Sequence, residues 1–184
     1  MRNLLVLSVT LVSLNFPQYL YSQPMNATLS LQEDYVLEVP LVNYGDNPGQ
    51  YQNAIFKSAG SEAEWTLVSA DVGTLIGSVD AVEVVVTSET PVQVFLEVSG
   101  TFGTGCPRVG KYAINMHGNV FNVFLYYDPD SLPSPEIDCT TEQVQFSKTI
   151  PLPVYGLDAG AYSFAINERV SGNFEITTDN VLPN

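Results

Sequence analysis

The chain has 184 residues, with 20 Asp plus Glu against 6 Lys plus Arg and a single His, for a formal charge of −14. Such a surface repels phosphate backbones and anionic lipid, so nucleic acid is excluded as a partner. One His and two Cys cannot assemble the four-cysteine, mixed cysteine–histidine or three-histidine ligand sets of the common zinc sites. A hydrophobic fraction of 45% against 14% charged nevertheless supplies a real core.

In chain order, Met1-Arg2-Asn3 is a short positive start, and Leu4 to Leu14 is an apolar run of 11 residues. A membrane-spanning helix needs roughly 20 residues, so the run reads as a secretory signal peptide over residues 1–22, cut after Ser22. The remaining 162 residues hold no second apolar span, and no Cys follows the run to carry a lipid anchor. The expected product has no membrane span and is secreted or periplasmic. Asn26-Ala27-Thr28 forms a glycosylation sequon, which matters only in a host that modifies such sites.

Beyond this the hydrophobic period is two. Val92, Val94, Leu96 and Val98 share one face of their segment, as do Phe121, Val123, Leu125 and Tyr127, and Tyr162, Phe164 and Ile166. Strands are expected near 35–42, 51–57, 64–69, 79–87, 91–101, 111–116, 119–127, 146–154, 161–167 and 173–177. His117-Gly118-Asn119 reads as a hairpin tip, and Pro151 and Pro153 assign their strand to a sheet edge. The glycine-containing stretch 71–78 is expected to be a linker between a three-stranded module, residues 23–70, and a seven-stranded unit, residues 79–184. The predicted class is all-β: an immunoglobulin-like β-sandwich with a small N-terminal β module packed on it. Trp65 shares a strand with Leu67 and is expected in the core.

Alternation turns Phe95, Phe124 and Tyr126 outward from the sandwich, a candidate partner patch larger than solubility needs. Two coverings are open: the N-terminal module, through Tyr35, Leu37 and Val39, or a separate partner.

Cys106 and Cys139 are 33 residues apart, and in an oxidising compartment an even count favours a disulfide over two free thiols. Asp128, Asp130, Glu136 and Asp138 crowd a proline-rich loop, a weak calcium candidate because the spacing is not that of an EF-hand. Any imidazole chemistry must use His117, an ordinary residue for a turn. No metal or other cofactor is expected.

The segment Gly156-Leu157-Asp158-Ala159-Gly160-Ala161-Tyr162, continuing to Asn167, resembles a stretch common in bacterial immunoglobulin-like and fibronectin-like domains. The resemblance implies a tyrosine corner built on Leu157, Gly160 and Tyr162, whose hydroxyl bonds the backbone upstream. Pro91-Val92-Gln93-Val94, Gly105-Cys106-Pro107, Asn119 to Val123, Cys139-Thr140-Thr141, Ile150-Pro151-Leu152 and the closing Phe174 and Asp179-Asn180 resemble a group of uncharacterised exported bacterial proteins, over residues 79–180. That group implies export from a bacterium and carries no activity across.

The function expected is therefore non-catalytic: a binding or structural component of an envelope or extracellular assembly, with a protein as partner and a glycan as the alternative. The rivals are an inhibitor of a secreted hydrolase, presenting a loop within 106–118, a carbohydrate-binding module, and a small hydrolase.

Overall fold

The computed structural model describes residues 28–30, 35–44, 47–58, 64–132 and 138–182. The export segment 1–22, Asn26 of the sequon and Glu136 of the acidic loop lie outside them. The strands are β1 Thr28–Ser30, β2 Val36–Tyr44, β3 Asn47–Ser58, β4 Trp65–Val72, β5 Val79–Val86, β6 Val94–Phe102, β7 Val109–His117, β8 Val120–Tyr127, β9 Val144–Leu152, β10 Gly160–Ile166 and β11 Val170–Ile176, with one 3-10 turn at Pro129–Ser131. Each expected strand is present within a few residues. β1 is an addition, and its three residues are too short to show a period.

Two sheets, β5-β6-β9 and β11-β10-β8-β7, face each other as a sandwich. The period of two decides what they bury. Val94, Leu96 and Val98 of β6 and Ile150 and Leu152 of β9 meet Phe121, Val123 and Leu125 of β8 and Phe164 and Ile166 of β10. Each such side chain contributes about 1.5–3 kcal/mol on full burial. β9 lies at a sheet edge, where Pro151 removes no needed hydrogen bond. The β7–β8 hairpin turns on Gly118 (φ +56°), as the His-Gly-Asn tripeptide predicts.

One pairing departs from the immunoglobulin pattern of antiparallel sheets: β8 and β10 run parallel, Phe121 beside Phe164 and Val123 beside Ile166. The connection dictates this. The chain leaves β8, crosses to the opposite sheet as β9, and returns in the direction it left.

Parallel pairing covers only the first half of β8. The second half is paired by residues 74–76, where the Ile76 N–H donates to Leu125 O and the Tyr127 N–H to Thr74 O, both at 2.9 Å. The stretch expected as a linker is thus tied into the sandwich, with Ile76 fully buried. Asn167 sits at the joint between β10 and this segment. Its Nδ2 donates to Ile76 O (2.8 Å) and Leu125 O (2.9 Å), and its Oδ1 accepts from the Leu125 N–H (2.8 Å), so one side chain replaces a missing piece of ladder.

The third sheet, β1-β2-β3-β4, rests through β3 on the outer face of β7 and β8. This corrects the partner patch. Phe124 and Tyr126 point outward from the sandwich as the alternation requires, but they are only 8% and 2% exposed, packed with Ala113 under Leu41. The covering contact comes from Leu41, Pro48, Gly49 and Gln52, and Tyr35 is itself exposed. Gly49 (φ +81°) is needed twice over: a Cβ there would lie 3.0 Å from the Tyr126 ring and 3.1 Å from Ala113 Cβ. Phe95 belongs to the other sheet, so the three aromatics never formed one surface. Trp65 is a second correction, being 40% exposed on β4 rather than core.

Candidate functional site: an apolar groove beside a braced loop

β6 and β9 end together, Val94 opposite Leu152 and Phe95 opposite Pro151. Beyond the ladder the chain on either side, Pro91 to Gln93 and Pro153 to Tyr155, walls a groove of about 410 Å³. Volumes of this order suit a small ligand or a few residues of peptide. Phe95 and Pro151 turn outward into it because their neighbours Val94 and Leu152 turn inward, and Tyr155 stands 59% exposed at the rim. Pro91, Pro151 and Pro153 have no N–H, so these positions offer apolar contact and carbonyl acceptors but no backbone donors.

The two walls are joined by one buried asparagine. Asn180 Oδ1 accepts from the Val92 N–H at 2.7 Å, while Nδ2 donates to Val92 O at 3.0 Å and Val154 O at 2.9 Å. Its own backbone accepts from the Gly156 N–H and donates to Leu157 O, each at 2.8 Å. Sequence reasoning met Asn180 only within the resemblance. Its place between residues 92 and 154 is a long-range fact with no local pattern.

Tyr162 is buried behind this end of the sandwich, its ring stacked on Phe174 and tilted against Phe121. The hydroxyl donates to Asp158 O at 2.8 Å. Burial first, and then the negative charges of Asp158 and Asp179, raise its pKa above the ordinary tyrosine value. Leu157 packs against the core and Gly160 opens β10.

The disulfide Cys106–Cys139 spans 5.3 Å between Cα atoms and ties the β6–β7 loop to the approach to β9. The loop is further braced from within. Arg108 Nη1 donates to the carbonyls of Gly105 (2.7 Å), Cys106 (2.9 Å) and Pro107 (2.9 Å), the Arg108 N–H reaches Ser131 Oγ at 2.8 Å, and the Gly105 N–H reaches Thr140 O at 3.1 Å. Of the range 106–118, residues 109–117 are strand, so the presentable loop shrinks to its first few residues.

In the acidic loop, Asp128 caps the 3-10 turn, Oδ1 accepting from the Asp130 N–H at 3.2 Å. Among the described residues no three His, Cys, Asp or Glu side chains gather as a metal set, Asp130 and Asp138 included. His117 lines a smaller polar cleft of about 170 Å³ on the outer face of β7 and β8, with Asn115, Asn122 and Glu168. Among the described residues Oδ1 of Asn115, buried there, has no hydrogen-bond partner.

The fold and these features define an all-β sandwich braced by a disulfide and carrying an apolar groove at one end. A family model described as the ORF11 beta-sandwich domain matches residues 96–176, from within β6 to the end of β11. The match covers less than half of the chain and leaves out β5 and the whole N-terminal sheet. No curated protein and no solved structure matches the chain. Among the described residues no helix is long and apolar enough to cross a membrane.

Proposed function

We propose that this is an exported bacterial β-sandwich protein, immunoglobulin-like in architecture, that acts by binding, as an accessory component of an envelope or extracellular assembly. The groove carries the reading. Phe95 and Tyr155 leave apolar surface in water at a place that Asn180 and the β6·β9 ladder hold rigid, and such surface is favoured when it meets something. The disulfide supports an oxidising compartment, and the Tyr162 bond to Asp158 O supports the tyrosine corner. The test is retrieval of partners from native envelope and medium by the disulfide-intact protein, beside a Phe95→Asp, Tyr155→Ala double variant. A partner held by the native protein and lost by the variant is the expected result. Equal retrieval by both refutes the groove.

A second reading, inhibition of a secreted hydrolase, is favoured by the loop at Gly105 to Arg108, rigid enough to enter a cleft without ordering cost. Inhibition of extracellular hydrolases that disappears with Arg108→Ala would select it.

A further inference from the structure

The N-terminal sheet buries Phe124 and Tyr126 on the outer face of β7 and β8 and leaves His117 on that face exposed. Ile114 and Met116 pack on the core, so Asn115 and His117 point away from it, and the same alternation turns Asn122 outward on β8 and Ala165 on β10. The registers set Asn115 opposite Asn122 and Asn122 opposite Ala165, so two amides and a methyl group stand in one row. The methyl leaves its end of the row open. Phe124 and Glu168 of the β10–β11 turn complete the lining of the cleft.

We propose that this cleft binds one ring of a neutral sugar through its hydroxyls, at a site separate from the apolar groove of the other sheet. Asn115 is only 7% exposed and its Oδ1 has no hydrogen-bond partner among the described residues, a state that costs free energy until a bound group supplies a donor. Rotation about its Cβ–Cγ bond presents either the oxygen or the nitrogen of the amide. Charge and the mix of donors and acceptors then choose among ligands. Glu168, on a chain of net charge −14, repels an anion. A hard cation takes about six to eight oxygens, whereas among the described residues no three His, Cys, Asp or Glu side chains gather, and an ammonium, which only donates, leaves the asparagine NH2 groups unanswered. A hydroxyl both donates and accepts, as each amide does, and a sugar ring holds several in fixed places. The volume of about 170 Å³ lies below that of pockets enclosing a drug-sized molecule and admits one ring rather than a chain of them, with Ala165 and Phe124 offering apolar contact to its C–H side. Glu168 keeps a left-handed backbone (φ +58°) at this cleft, and strained residues of that kind cluster at ligand sites.

Proton–nitrogen NMR of the disulfide-intact chain tests this, following the side-chain amides of Asn115 and Asn122 through titrations with glucose, galactose, mannose and N-acetylglucosamine, beside glycerol, calcium chloride and ethylamine. Saturable shifts with at least one sugar, in the millimolar range, and none with glycerol are the expected result. Asn122→Ala should weaken binding at least about tenfold through its lost hydrogen bonds. Ala165→Leu, which keeps every polar group and fills the row, should abolish it, while Tyr155→Ala in the groove leaves it unchanged; the spectrum of each variant reports its fold. An array of immobilised oligosaccharides ending in the same sugar separates the sources, retention marking the terminal residue of a glycan and no retention the free sugar. No saturable shift with any of the four sugars, shifts no larger than with glycerol (a hydrated cleft only), saturation by calcium or ethylamine instead, or binding that survives both Asn122→Ala and Ala165→Leu overturns the proposal.

Discussion

The sandwich and the N-terminal sheet are built from similar sequence and stabilised differently. In the sandwich two sheets each turn an apolar face onto the other, and Phe121, Leu125, Ile150 and Ile166 lose nearly all contact with water. Among the described residues the N-terminal sheet is faced by β7 and β8 chiefly along β3. It leans on the sandwich through a narrow contact in which Tyr126 donates to Pro48 O at 2.8 Å and Gly49 and Gly73 let the ring approach. The comparison teaches that strand pairing supplies little stability by itself, and that burial behind the sheet decides which region is robust.

Breaking the sandwich core is the most severe test. Phe121→Ala should cost about 3–5 kcal/mol, measured by denaturant unfolding, and should take both regions down together. Trp65→Ala in dilute solution should shift stability by no more than about 0.5 kcal/mol, as its strand is exposed. Equal costs would erase the distinction between the regions.

Reducing Cys106–Cys139 should lower stability by about 3–4 kcal/mol, since it opens a loop of 33 residues in the unfolded chain. Thermal melts with and without reductant check this, and the reduced protein should keep its strand signal in circular dichroism.

Gly73→Val attacks only the junction. A Cβ at residue 73 would stand 2.6 Å from Gln52 Nε2 and 2.7 Å from the Tyr126 ring, so the sheet must lift, at about 1–3 kcal/mol. Hydrogen exchange should quicken in β2 and β3 while β8 and β10 stay protected. Uniform quickening would mean that the two regions fold as one.

High pH should act at the same junction. Burial pushes the Tyr126 pKa up to about 12, and Tyr162 is also raised. In both cases the unfolded chain ionises first, near pH 10, so their stabilisation is complete below pH 10 and is lost above it, for Tyr126 as pH climbs toward 12. Tyr126→Phe should flatten that decline, read from melting temperatures between pH 9 and pH 12.

A small stabilising effect is expected at the β10–β11 turn, where Asn167 (φ +48°) and Glu168 (φ +58°) are both left-handed. Asn167 is held by its ladder of hydrogen bonds, whereas Glu168 is exposed and has no such compensation for its conformation. Glu168→Gly should stabilise the protein by about 0.5–1 kcal/mol, confined to the sandwich. A destabilised variant would show that the unfolded-state entropy of glycine outweighs the strain.

Much of this architecture was legible because a strand writes its environment in a local code. Alternate residues point to opposite faces, so Val94, Leu96 and Val98, or Phe121, Val123 and Leu125, announce an inward face without reference to anything distant. Gly118 and Pro151 are equally local, one setting a turn and the other an edge. The all-β class, the inward faces and the hairpin therefore follow from the sequence by itself, and the Cys106–Cys139 pairing follows once the compartment is assumed. What lies against the other face is a different kind of fact. Nothing near Phe124 or Tyr126 states that β3 covers them, and nothing near Trp65 states that β4 reaches past the sandwich. The parallel β8·β10 pair and the bridging side chains of Asn167 and Asn180 likewise join residues far apart in the chain, 42 positions between Asn167 and Leu125 and 88 between Asn180 and Val92. Periodicity assigns a residue to a face. Only the tertiary structure decides which segment returns to lie on it.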